Sequence, residues 1–181
     1  MRRTPQFRLE CDPSEIDGLA ERYGPEQDDE AFKAGASIAG GDYSRENLKA
    51  IVRWKSPRRI ALIDDNTDAE ISSALRVASD ASTTERSAVK ALDGLHGVGV
   101  PVASAIPTTI RPEKYTVIDF RALESLGVAK WPGSIGYYLA YLSECRALAR
   151  RHNKSLRTLD RALWQWSKER STKEANASRR C

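Results

Sequence analysis

Leu92-Asp93-Gly94-Leu95-His96-Gly97-Val98-Gly99-Val100-Pro101-Val102-Ala103-Ser104-Ala105-Ile106 is the stretch from which the fold is read. It predicts helix, tight hairpin, helix. Gly97 and Gly99 admit positive backbone dihedrals and close approach, and Val98 between them plugs into the core. Pro101 suits the first turn of the second helix, where its missing N–H is no loss. Ala103 is small where the two helices cross, and Ile106 returns to the core. A Gly-x-Gly turn ahead of a helix leaves backbone amides facing outward, and such a site holds a phosphate. Pro107 predicts an end or a kink in the second helix one turn early.

Outward from this hairpin the apolar period is helical nearly everywhere. Leu48, Ile51 and Val52 mark one helix face, and Ile71, Leu75 and Ala78 another. Val89, Leu92 and Leu95 mark the first hairpin helix, with Thr84 as its N-cap. Ile135, Leu139, Leu142, Cys145 and Ala149 line a longer helix begun by Ser134. Leu156, Leu159, Leu163 and Trp166 line the last, capped by Ser155 or Thr158. Trp164 and Trp166 fall on different faces and are assigned to packing. Tyr115-Thr116-Val117-Ile118 alone alternates like a strand and is too short for a sheet. The fold class is all-α, with roughly seven to nine short helices around one core. Residues 1–42 predict two helices, near Pro13–Tyr23 and Pro25–Ala34, then a Gly- and Ala-rich link from Gly35 to Gly41, packed on a body of residues 43–169. Residues 170–181 lack any large apolar residue and predict a mobile basic tail.

The chain has 181 residues, with 29 Lys plus Arg against 25 Asp plus Glu. Residues 1–42 hold 5 basic and 10 acidic side chains, so the body behind this acidic leader is strongly basic. That division points to a polyanionic partner, with nucleic acid the first candidate. No apolar run reaches the ~20 residues of a membrane crossing, and no signal-peptide stretch opens the chain. A soluble, cytoplasmic protein is the expectation. The three cysteines, Cys11, Cys145 and Cys181, are scattered, and the two histidines are His96 and His152. A zinc ribbon, an iron–sulfur cluster and a disulfide framework all lack ligands, and reduced thiols are expected.

The pattern Leu-x-x-Leu-x-Gly-Val-Gly-x-x-x-Ala-x-x-Ile resembles the helix-hairpin-helix motif, a DNA-backbone clamp without sequence preference. A second likeness follows at Val117-Ile118-Asp119-Phe120-Arg121-Ala122-Leu123, where Asp119 lies 20 residues beyond Gly99. In the helix-hairpin-helix DNA glycosylase superfamily an aspartate heads a helix at that distance. The resemblance spans roughly residues 43–169 and is specific in 92–123. It implies a compact multi-helix glycosylase-like fold, double-stranded DNA as partner, and Asp119 as catalytic carboxylate; a monomer is the expected state. A fixed carboxylate stabilises the cationic sugar as the base departs and positions the attacking water. The alternative is that Asp119 only caps the following helix. The resemblance also implies a monovalent cation, K+ or Na+, at the hairpin carbonyls, and no other cofactor. Members that cut the strand carry a lysine two residues beyond the second hairpin Gly. Here that residue is Pro101, which argues against a lysine-dependent lyase step and for base release by water. Lys55, Lys90, Lys114 and Lys130 are conceivable substitutes for that lysine, and each reads first as a phosphate contact or a solvated charge.

The clamp itself is assigned to His96, Gly97, Gly99 and Val100. A glycosylase must also stack an extruded base and read its edge. Arg53-Trp54-Lys55-Ser56-Pro57-Arg58-Arg59 ends an apolar helix: Trp54 is a stacking candidate, with Arg53, Lys55, Arg58 and Arg59 meeting phosphates. The opposing reading is a core Trp54 beneath solvated cations. Trp131-Pro132-Gly133-Ser134-Ile135-Gly136-Tyr137-Tyr138 is the second aromatic cluster, with Trp131, Tyr137 and Tyr138 as pocket candidates, one of the tyrosines being core. The expected function is a monofunctional DNA glycosylase acting on a damaged base in repair or on a modified base in phage defence. The alternatives are a helix-hairpin-helix protein that binds DNA without catalysis, and a helical protein-interaction module.

Overall fold

The hairpin's second helix lies at the centre of the molecule. In the computed structural model, which describes residues 6–178, every residue of the Val100–Ile110 helix except Pro101 is buried. Its sequence is apolar or small on all sides, the signature of a helix with no solvent face. Eight further α-helices are found among the described residues, and there is no strand. In chain order they are α1 (Ile16–Arg22), α2 (Asp29–Ala39), α3 (Arg45–Lys55), α4 (Asp68–Ser79), α5 (Glu85–Asp93), the central α6 (Val100–Ile110), α7 (Phe120–Glu124), α8 (Ile135–Arg151) and α9 (Leu156–Ser178). Helices α2, α3, α4, α5 and α8 all pack on α6. None of the described helices is long and apolar enough to cross a membrane.

Local chemistry sets the helix starts. Thr84 Oγ1 accepts from the Ser87 N–H, Ser134 Oγ from Tyr137, and Ser155 Oγ from Thr158, so Ser155 is the cap of α9. Thr67 and Glu70 form a reciprocal capping box on α4. Three 3-10 turns each open on a proline, at Pro13–Glu15, Pro25–Asp28 and Pro57–Asp65.

Three sequence expectations are corrected. Pro107 does not end α6 early; the helix runs on to Ile110 around it. A proline inside a helix costs about 3 kcal/mol, and burial of nearly the whole helix outweighs that. Residues Gly35–Ala39 are not a link but the last turns of α2. Gly35 is required there, because a Cβ would stand 2.3 Å from the Thr109 carbonyl oxygen of α6. The two backbones cross in direct contact. Residues 170–178 are helix rather than a mobile tail. They contain no glycine or proline, and Arg170 Nε meets Glu174 Oε1 at 3.0 Å one turn on. Residues 179–181, the end of the expected tail, lie outside the described residues.

The acidic leader is matched in charge to the end of the chain. Helix α1 packs along α9, Asp17 pairs with Lys154 at 2.5 Å, and Arg22 with Glu169 at 2.8 Å. Asp28, 3 % exposed, accepts from Arg157 and Arg161 of α9 and from the Tyr23 hydroxyl. Cys11 and Cys145 are buried free thiols, and burial pushes Cys11 up to about 11.

Candidate active site

Asp119 is reached through a buried segment that is neither helix nor strand, Tyr115–Ile118. Such a backbone in a core needs partners for its polar groups, and side chains supply them. Tyr138 donates its hydroxyl to the Thr116 carbonyl at 3.1 Å, and Tyr141 to the Val117 carbonyl at 2.8 Å. Ser104 Oγ, on α6, accepts from the Ile118 N–H at 3.0 Å and donates to the Pro101 carbonyl at 2.7 Å. The strand-like alternation of these residues thus reflects a strut that fixes the next residue.

That residue has both carboxylate oxygens engaged. Asp119 Oδ1 accepts from the Ala122 N–H at 2.9 Å, capping α7. Oδ2 accepts from Lys55 Nζ at 2.7 Å. The two side chains are only 17 % and 11 % exposed. Lys55 is the last residue of α3, and its pairing with Asp119 inside the cavity wall makes it an ion-pair partner rather than a solvated charge. It neutralises Asp119.

The pair stands in the wall of a cavity of about 650 Å³. The end of α3 and the turn after it contribute Trp54 and residues 55–59. The hairpin contributes Gly99, Pro101 and Val102; the α7 start contributes Asp119, Phe120 and Arg121; and Trp131 closes one side. Tyr23 and Gln27 of the leader and Arg157, Asp160 and Trp164 of α9 complete it. Trp54 is half-buried in this wall, with an edge contact to Phe32 at 6.0 Å and the Arg157 guanidinium 5.6 Å from its ring.

Other candidates divide. Trp131 lines the cavity; Tyr137 lies behind it, 6.2 Å between rings, and does not reach the lining. Tyr138 is fully buried core and is removed from the pocket set. Trp164 is corrected in the other direction: it faces the cavity, with Tyr23 at 5.3 Å edge-on and Arg121 over its ring. Arg53 and Arg58 are exposed, and Arg58 lines the mouth. Arg59 donates to the Gly97 carbonyl at 3.4 Å.

The hairpin is anchored by a residue the sequence did not single out. Asn66, 8 % exposed, accepts from the His96 N–H at 2.7 Å and donates to the His96 carbonyl at 3.0 Å. The His96 amide is therefore spent internally, and its ring is exposed with Nε2 3.6 Å from Asp65. Gly97 has φ +82, and a Cβ there would strike Leu62 at 2.8 Å. Among the described residues, the N–H groups of Gly97, Gly99 and Val100 meet no acceptor of the protein. The His96 carbonyl accepts from the Asn66 amide at 3.0 Å and the Gly97 carbonyl from Arg59. Among the described residues no group of three His, Cys, Asp or Glu side chains is placed to hold a metal.

Asp160 is a second carboxylate of the wall, paired with Arg157. Burial pushes it up to about 6, the nearby charge of Asp119 adding to this and Arg157 opposing it. Sequence reasoning missed this α9 face, although Arg157, Asp160 and Trp164 fall at helical spacing beside Leu156, Leu159 and Leu163, about 100° round the helix. The chain matches no protein-family model, no curated protein and no solved structure.

Proposed function

We propose that the protein is a DNA glycosylase of the helix-hairpin-helix kind, which takes a damaged or modified base out of double-stranded DNA and hydrolyses its N-glycosidic bond. The observation that carries this reading is a partly buried carboxylate, Asp119, in the wall of a cavity of about 650 Å³ beside a hairpin with unspent amides. In this reading the amides of Gly97, Gly99 and Val100 and the cations Arg53, Arg58 and Arg59 hold the phosphate backbone. The flipped base enters between the aromatic walls of Trp54, Trp131 and Trp164. As the glycosidic bond breaks, the sugar acquires positive charge, and Asp119, fixed by its cap on α7, stabilises it. The substrate is a lesion in repair or a modified base of phage DNA in defence, and a cytoplasmic monomer suffices for either.

A second reading is favoured by one observation: both oxygens of Asp119 are already engaged, by the α7 cap and by Lys55. In that reading the protein clamps DNA for a repair or nuclease partner without catalysis. Free-base release from lesion-bearing oligonucleotides and from modified phage DNA separates the two. Asn is as good a cap as Asp, so Asp119→Asn preserves α7 while removing the charge. The glycosylase reading expects release to fall by about 10²- to 10³-fold. Release that survives Asp119→Asn sinks the role of Asp119, and DNA binding with no release from any substrate favours the clamp.

A further inference from the structure

Two carboxylates line the cavity, and their oxygens are not used alike. Asp119 gives Oδ1 to the α7 cap and Oδ2 to Lys55. Asp160 gives Oδ2 to Arg157. Its Oδ1 meets no donor among the described residues and is not sealed away, so it opens on the cavity. The Asp160 side chain is only 7 % exposed. A carboxylate oxygen so far from bulk water is costly to leave without a hydrogen bond. The wall therefore offers one acceptor whose donor comes with the ligand. Trp54, Trp131 and Trp164 line the same cavity, and such rings suit a flat ligand.

An ionised carboxylate accepts and never donates. The exocyclic amino group of cytosine, adenine or guanine projects N–H beyond the ring edge, and a carboxylate is a fitting partner for it. In uracil, thymine and hypoxanthine a carbonyl takes that place, and acceptor would meet acceptor. We infer that Asp160 reads the flipped base and selects bases that carry an exocyclic amino group over their carbonyl counterparts. The inference rests on the glycosylase reading for the flipped base and narrows its substrate class to amino-bearing damaged or modified bases. Deaminated bases fall outside that class. Asp119 and Asp160 divide the nucleotide between them, the first at the sugar and the second at the base. Arg157 holds Asp160 from its own helix, and Lys55 and Asp119 are the other charges felt there.

The test uses the full chain and duplexes carrying matched bases that differ at this one group, each opposite an abasic spacer so that neither is paired. The pairs are 5-hydroxymethylcytosine with 5-hydroxymethyluracil, and 1-methyladenine with 1-methylhypoxanthine. Affinity and base release are both measured. Wild type is expected to favour the amino member of a pair by at least about tenfold. In Asp160→Asn, whose amide donates as well as accepts, the preference should shrink to within about threefold, with Tm in parallel reporting the fold. Equal affinity within every pair, a preference for the carbonyl member, or an amino preference that survives Asp160→Asn overturns the inference. A second measurement needs no variant. Asp160 is held up to about 6, so from about pH 7 to about pH 5 it gains a proton, becomes a donor, and the wild-type preference fades. Burial pushes the neighbouring Tyr23, Tyr138, Tyr141 and Cys145 upward, so they stay neutral over that range. A preference unchanged across it overturns the assignment. Selective binding without base release from any substrate leaves Asp160 standing and removes the glycosylase reading; release that ignores the amino group does the reverse.

Discussion

Ser104→Ala removes a single oxygen from the centre of the protein, and its effect follows from two hydrogen bonds. Ser104 is fully buried, and its Oγ accepts from the Ile118 N–H while donating to the Pro101 carbonyl. As a helical carbonyl, Pro101 keeps its ladder partner. The Ile118 N–H keeps nothing, because Ile118 is also fully buried. The lost bond is worth about 1 kcal/mol and the stranded donor costs about 1–3 kcal/mol, so a destabilisation of about 2–4 kcal/mol is expected. For a domain of this size each kcal/mol moves Tm by about 2–4 °C, which places the drop at about 4–16 °C. Calorimetry against Ser171→Ala checks it. Ser171 is exposed on α9 and bonds only to the Ser167 carbonyl, so its variant should stay within about 0.5 kcal/mol of wild type. A Ser104→Ala transition indistinguishable from that of Ser171→Ala refutes the strut. If Asp119 is catalytic, base release should also fall in Ser104→Ala, since the strut is what fixes the carboxylate.

Three other outcomes are expected. Gly35→Val places a side chain against the Thr109 carbonyl and should destabilise by at least about 3 kcal/mol, read by urea unfolding. Asp160 is held up to about 6, so between about pH 4 and 6 the folded protein keeps a proton that the unfolded chain has released. This contribution to stability is full below pH 4 and lost as pH rises to 6; Asp160→Asn should flatten that slope in unfolding free energies measured across the range. Arg58→Ala, at the exposed cavity mouth, should reduce the slope of log affinity for DNA against log salt by about 1 with no change in Tm.

Local signals carried most of the architecture. The periods at Leu48, Ile51 and Val52, and at Ile71, Leu75 and Ala78, lie on buried helix faces, and Thr84 and Ser134 cap the helices they precede. Such features are settled within a few residues of chain, so a sequence displays them. The failures are tertiary. Gly35 looks like a linker residue until the crossing of α2 over α6 supplies its reason. Pro107 looks like a terminator because the cost of proline is local and the burial that exceeds it is not. At the site, Asp119 and the hairpin stand out by spacing, but the partner of Asp119 lies 64 positions away in Lys55. Nothing local marks the α9 face of Arg157, Asp160 and Trp164 as a wall; the leader packed over it makes it one. The acidic leader itself, unexplained by composition, is accounted for where Asp17 and Asp28 meet Lys154, Arg157 and Arg161.

That closure of α1 upon α9 bears on how the protein is born. Tyr23 and Gln27 leave the ribosome long before Arg157, Asp160 and Trp164, yet one cavity needs all five. A nascent chain can lay down α2 through α6 as it emerges, but the wall facing Asp119 is absent until α9 follows. Contacts spanning such long stretches form late and slowly. The lysine and carboxylate at the centre of the site therefore gain their enclosing wall only once α9 has been made, and a chain cut short before Arg157 would carry the hairpin without the chamber beside it.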